Sequence, residues 1–363
     1  MRARRGVPAR GWLAGPDPPP YLRLAALGLA AGRGAEWSRH YGEAVSEDLD
    51  FPGDDPGIVW HYTDGGGLLS ILRNHVLWAT ASPFLNDREE VELGIGLIRS
   101  RLRQRLDAMK ADHIIEKIES SRQELGSSAA GAYFILSASR DWDSLAMWRC
   151  YGGSGESYAI GLDASQQLPV LGDGEPPETP DAREDRYLVR QRTWAPVVYD
   201  AEEQCRLVDD VLDDLPGTFS LLKAAQGRKE DFDLDAVAGL FDRLELVLLL
   251  AKHPGFLDER ETRLATALYA DPDDAGVTER TRDFVRYRAS AYGLAPYLWL
   301  TCADPDRPAG AARTGAAYRL TIRGVAISPS PNGRAAENSL RTLMLRAGYG
   351  RVPVRRSGIP FRQ

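Results

Sequence analysis

Apolar and polar positions change period several times along the 363-residue chain, and each change marks an element. "IVWHYT" (58–63) alternates with period two, as a strand does, so His61 and Thr63 project to one side and Trp60 and Tyr62 to the other. The spacing then becomes helical in "LLSILRN", with Asp64 as the N-cap, and "VLWATA" returns to a strand. From Asn86 to about Leu125 the pattern predicts two consecutive helices. "AYFILSAS" and "SYAIGLD" are further strands, joined by "RDWDSLAMWRCYGGSGE", which holds a helical turn and a glycine-rich turn.

"VLGDGEPPETPDARED" is acidic and proline-rich and predicts a mobile loop near 170–186, before the strand-like "YLVRQRTWAPVVYD". Residues 201–252 read as a helical insertion whose ridge, "LELVLLLA", must be buried. Strands recur at "ERETRLATAL", "FVRYRAS", "YLWLTC" and "YRLTIRGVAIS", then a helix near 335–347 and a last strand at "RVPVRRS". This order predicts one α+β domain over 57–363, with a mixed, largely antiparallel central sheet and the helical insertion. Residues 1–56, ending in the breaker-rich "DFPGDDPG", read as a flexible N-terminal extension.

Composition narrows the classes. A net charge of -7 argues against phosphate binding over the whole surface and leaves nucleic acid as a locally bound partner. Cys150, Cys205 and Cys302 form neither a CxxC pair nor a ligand-like spacing with histidine, so they read as buried thiols of a reducing cytoplasm, with no metal site. No apolar run has the length of a membrane span. The arginine-rich start is interrupted by "PDPPP" and reads as a leader rather than a secretory signal, which points to a cytoplasmic protein that does not engage membranes.

Four groups of residues could carry chemistry. His61 with Thr63 offers convergent donors and acceptors suited to ribose hydroxyls or an amide; a core histidine satisfied by a neighbour fits the same pattern. Gly65, Gly66 and Gly67 at a helix start could approach a phosphate, but no lysine or serine signature follows, and a turn serves equally. "FLNDREEVE" supplies Asn86, Asp87, Glu89, Glu90 and Glu92, which read as a binding loop or as a cap with an acidic first turn. Trp148 and Tyr151, three apart in "AMWRCYG", suit core packing or stacking on a planar ring. In "FLDERETRLA", read as a strand, Glu259, Glu261 and Arg263 share a face, so two carboxylates crowd beside a guanidinium; a solvated charged face has the same spacing.

"HYT" with a helix and "LWAT", "FLND" with acidic residues, "MWRCYG" before "YAIGLD", "KHPGFLDERETR", and the closing "VAISP" through "RVPVRRSGIPFR" together resemble the prokaryotic family of the domain of unknown function 2971, from about residue 58 to the C-terminus. More distantly, a strand with His-x-Thr, a helix, a second strand and a late Glu-x-Glu is similar to the ADP-ribosyltransferase layout. That resemblance implies an ADP-ribosyltransferase-like fold with NAD as substrate. His61 and Thr63 would hold the adenosine-side ribose and the nicotinamide amide, with Tyr62, Asn86, Trp148, Tyr151 and Arg263 completing the NAD site. Glu261, or else Glu259, would be the catalytic carboxylate that stabilises an oxocarbenium-like transition state. The acceptor would be a protein or a nucleic acid, and the setting defence or toxin activity.

The sequence departs from that layout in its long helical insertion and in its middle strand, where Tyr133, Ser137 and Ser139 are the candidates. Two other readings stay open: a magnesium-assisted nuclease or hydrolase using Asp87, Glu90, Glu259 and Glu261, and a non-catalytic sensor or interaction domain.

Overall fold

The computed structural model describes residues 50–85, 88–108, 111–112, 114–116, 133–152, 155–173, 189–213, 243–244, 246–268, 283–290, 293–304 and 310–360. The chain divides into two units, Met1–Asp48 and Leu49–Gln363, and every described residue belongs to the second.

In chain order the elements are β1 (Ile58–Asp64), α1 (Gly65–Asn74), β2 (Leu77–Ala81), α2 (Arg88–Arg105), β3 (Tyr133–Ser139), α3 (Leu145–Tyr151), β4 (Ser157–Asp163), β5 (Val170–Gly172), β6 (Val189–Gln191), β7 (Ala195–Pro196), α4 (Ala201–Asp213), β8 (Glu261–Leu268), β9 (Arg286–Ser290), β10 (Gly293–Leu300), β11 (Ala312–Thr314), β12 (Ile322–Ile327), α5 (Arg334–Arg346) and β13 (Val354–Arg356). The strands form one sheet in the order β11-β5-β10-β2-β3-β1-β4-β12-β13, with β8 on β3, β6 and β7 on β8, and β9 on β10. The pairings are antiparallel except β5 with β11 and β12 with β13, so the α+β class and the mixed, largely antiparallel sheet are as the sequence predicts. Among the described residues, no helix is long and apolar enough to cross a membrane.

Local chemistry explains the first βαβ segment. Asp64 Oδ1 accepts the Gly67 N–H at 2.7 Å and opens α1, whose Leu68, Ile71 and Leu72 are buried at helical spacing. The helix closes at His75, which takes the left-handed conformation (φ 56°) and donates its backbone N–H to the Ile71 carbonyl. Trp60 on β1 is fully buried, and glycines on β4 and β12 make room for it. A Cβ at Gly161 would lie 2.9 Å from the indole, and one at Gly324 would lie 3.2 Å away.

α2, α4 and the ridge before Lys252 share a second core. Ile95, Ile98 and Leu102 of α2 pack with Val208, Val211 and Leu212 of α4 and with Leu244, Val247 and Leu248 of the predicted ridge. An ion pair between Arg101 Nε and Asp209 at 2.8 Å ties α2 to α4.

Several expectations need correction. Packing begins before Ile58: the Phe51 ring stacks on Trp60 at 5.1 Å and meets Trp142 edge-on at 5.0 Å. Residues 1–49 lie outside the described residues. The loop expected near 170–186 starts as a buried strand, since β5 pairs with both β10 and β11; residues 174–186 lie outside the described residues. The thiols are free but not all buried: Cys302 is buried, Cys205 partly so, and Cys150 is exposed.

Candidate functional site

The site lies where the sheet opens. On one edge of β3, Phe134 and Ile135 pair with β2, and Ser139 pairs with Trp60 of β1. Among the described residues, no strand pairs with Leu136, Ser137 and Ala138 on that edge. The other edge of β3 is paired with β8 along its whole length. A side chain bridges the opening: His61 Nδ1 donates to the Ser137 carbonyl at 3.0 Å. A carbonyl only accepts, so the ring proton sits on Nδ1, and burial lowers the imidazole pKa, which keeps the ring neutral. Nε2 is then an acceptor, and among the described residues nothing reaches it.

A cavity of about 890 Å³ occupies this opening, within the size range of small-molecule sites. His61, Tyr62, Thr63, Tyr151, Glu259, Glu261 and Arg263 all line it. Alternation along the strands does not account for their meeting. Trp60 lies opposite Ser139, and Ser139 opposite Glu261; opposed residues share a face, so regular alternation would put His61 and Thr63 on the far side of the sheet from Glu261 and Arg263. The two sets line one cavity because β1 and β3 part there, which exposes residues of both faces. Leu136 and Ala138 from one face and Ile135 and Ser137 from the other line it together.

The carboxylates also meet by a different route. Glu259 is not on the strand: it ends a 3₁₀ turn (Pro254–Glu259), and Arg260, in the left-handed region at φ 43°, separates it from β8. What unites the pair is Lys252, to which the sequence reading gave no role. Its Nζ lies 2.7 Å from Glu259 Oε2 and 2.8 Å from Glu261 Oε2. Arg263 grips Glu261 from the other side, Nε to Oε1 and Nη2 to Oε2, both at 2.8 Å, and donates through Nη1 to the Leu249 carbonyl at 2.7 Å.

All four side chains are buried, and the two cations match the two anions in charge. Such a cluster tolerates desolvation only when its hydrogen bonds are made. Burial is the largest single influence on Glu261 and opposes its ionisation; Arg263 and then Lys252 outweigh it and hold the carboxyl at about 2. Lys252 is itself fixed through its backbone, which donates to Val198 and accepts from Gln204 Nε2 at 2.8 Å. Ser139 Oγ donates to the Glu259 carbonyl at 2.7 Å, and the Glu261 N–H donates to Tyr199 Oη at 2.9 Å. Burial, with the negative charge of Glu259 and Glu261, raises the Tyr151 pKa.

The remaining candidates separate. Tyr62 lines the cavity, but its hydroxyl braces the loop after β3, donating to the Asp141 carbonyl at 2.7 Å and accepting from the Ser144 N–H. Trp148 belongs to the core: its ring meets Tyr62 edge-on at 4.5 Å, and Nε1 donates to Asp143. Asn86 and Asp87 lie outside the described residues, as does the side chain of Glu90. Tyr133 is buried in a separate apolar cluster. For the magnesium reading, oxygens of Glu259 and Glu261 are occupied by Lys252 and Arg263, and among the described residues no group of three His, Cys, Asp or Glu is placed to hold a metal ion. Trp78, Thr80 and Arg288 line the cavity without having been singled out by sequence.

Residues 147–264 match the model of a family described as a protein of unknown function (DUF2971). The matched stretch carries Tyr151, Lys252, Glu259, Glu261 and Arg263 and leaves out His61 and Thr63. No curated protein and no solved structure matches the chain. The family match therefore supports the resemblance read from the ordered motifs over residues 147–264.

Proposed function

We propose that the cavity takes NAD and that the protein cleaves the nicotinamide–ribose bond, passing ADP-ribose to a protein or nucleic acid acceptor. One observation carries this reading: a neutral histidine and a threonine hydroxyl from β1, and two carboxylates from the turn before β8 and the start of β8, line the same cavity. Nε2 of His61 is available to accept from a ribose hydroxyl, and Thr63 offers a hydroxyl beside it. As nicotinamide leaves with the bonding electron pair, positive charge develops on the ribose, and a fixed carboxylate stabilises it before the acceptor attacks the same carbon.

Glu259 suits that role better than Glu261. Both carboxylates share the ammonium of Lys252, and Glu261 in addition takes the forked guanidinium of Arg263 on both of its oxygens. The charge balance of the cluster also favours a second reading, in which the cavity binds its ligand without chemistry and the quartet is a brace.

Incubating the full chain with NAD and following nicotinamide release tests the proposal. Adding cell extract and NAD labelled in its ADP-ribose part, then separating protein from nucleic acid, identifies the acceptor. Nicotinamide release that depends on Glu259 supports a transferase; NAD binding without release supports the second reading; neither binding nor release overturns both.

A further inference from the structure

Arg288 differs from the other cations of the cavity. Lys252 and Arg263 each face a carboxylate, but among the described residues none pairs with Arg288. It sits on β9 opposite Ala295 of β10, and its side chain crosses β10 to reach β2, where Nη2 donates to Thr80 Oγ1 at 3.0 Å. Its Cζ lies 5.6 Å from the ring centre of Trp78, which is 39% exposed and packs on Tyr297 at 4.7 Å. Among the described residues, its buried Nε has no partner. A guanidinium held by a neutral hydroxyl and an indole, partly stripped of water and facing a cavity, has the geometry and the charge to receive an oxyanion through two parallel N–H donors.

Position says what that oxyanion is attached to. Thr80 pairs with Ile135 of β3, and Ile135 with Ala265 of β8, so Trp78 and Thr80 share a face of the sheet with Glu261 and Arg263. β2 and β8 flank β3, about 10 Å apart across the sheet, and Glu261 stands four residues along β8 from Ala265, about 13 Å further down the strand. With long side chains reaching in from both ends, that span suits a nucleotide whose ribose lies at the carboxylates and whose phosphate lies at Arg288. We infer that Arg288, backed by Thr80 and Trp78, is the phosphate-binding corner of the cavity and selects a nucleotide over a nucleoside. The assignment rests on the reading of the cavity as an NAD site and names the part of the ligand that supplies affinity.

The test is a titration of the full chain with ADP and with adenosine by calorimetry, repeated for Arg288→Gln and Arg288→Lys, beside the KM for NAD. The wild type is expected to bind ADP about tenfold or more tightly than adenosine, and Arg288→Gln to lose that preference. Arg288→Lys is expected to keep part of it, because it retains the charge and loses the fork. Equal wild-type affinity for ADP and adenosine overturns the assignment, as does a preference that survives in Arg288→Gln. An Arg288-dependent ADP preference without NAD turnover upholds the phosphate corner and sinks the NAD-cleavage reading. NAD turnover with the same KM in wild type and Arg288→Gln does the reverse.

Discussion

His61 Nδ1 and the Ser137 carbonyl oxygen, 3.0 Å apart, join β1 to β3 at the point where their backbone ladder has ended. The bond fixes the tautomer of the ring and satisfies a carbonyl on an unpaired strand edge, so the neutral form of the imidazole belongs to the folded state.

Stability should therefore depend on pH in two separate windows. Burial lowers the pKa of His61, and of His75 to the same effect, below the ordinary 6.5. On acidification the unfolded chain binds these protons first, so the contribution is complete above 6.5 and is lost as pH falls below it. Glu261, held at about 2 against an ordinary 4.5, acts later: its contribution is present above 4.5 and is lost as pH falls toward 2. Urea midpoints are expected to drop between pH 7.5 and 5.5, and His61→Gln to flatten part of that drop. A wild-type midpoint unchanged over this interval would mean that the folded state does not hold the histidines neutral.

Lys252→Met is expected to destabilise the protein by about 3–5 kcal/mol, because it leaves Glu259 and Glu261 buried together without the ammonium they share. Adding Glu259→Gln to Lys252→Met should recover part of the loss, since Glu261 then retains Arg263 with no second carboxylate beside it. Additive losses in urea denaturation would show that the two side chains are not coupled.

Elements with a strong local period were legible. The change from alternation to helical spacing at Asp64 marks β1 and α1, and the apolar run 246–251 is largely buried, as its length requires. What escaped depends on partners distant in sequence. The three-residue strand β5 exists because Val170 pairs with Leu300 and Ala312, and nothing in "VLG" announces either. The left-handed Arg260, which takes Glu259 off the strand, occupies a position where no glycine or asparagine gives warning. Lys252 gains its role from Val198 and Gln204, which hold its backbone from across a segment of more than forty residues. The opening in the sheet belongs to a set of pairings, so no single strand encodes it.

Glycines at the start of α1 provide a contrast between neighbours. A Cβ at Gly67 would lie 1.9 Å from Thr63 Oγ1, inside the cavity wall, whereas one at Gly66 would meet only Asp64 Oδ1, at 3.4 Å. Gly66→Ala is expected to be neutral or to stabilise by about 0.5 kcal/mol through helix propensity. Gly67→Ala is expected to lower the melting temperature and to turn the Thr63 hydroxyl away from its present position, which would weaken NAD binding if the proposed function holds. Indistinguishable behaviour of the two variants in melting and in titration would show that Thr63 and the helix start are not in contact.

The two carboxylates differ in how they can be tested. Glu261→Gln removes the charge that neutralises Arg263, leaving a buried guanidinium with an amide in place of its partner, so a loss of about 3 kcal/mol is expected whatever the chemistry. Lost activity in that variant would mix misplacement with catalysis. Glu259→Gln is the cleaner probe, because Lys252 keeps Glu261 as its counter-ion and the expected cost is about 1–2 kcal/mol. If Glu259 stabilises a cationic ribosyl transition state, its neutral amide should lower kcat for nicotinamide release by about a hundredfold to a thousandfold, while the KM for NAD moves little. Full turnover in Glu259→Gln, with a melting curve close to that of the wild type, would remove Glu259 from the chemistry and leave the quartet as a brace beneath the cavity.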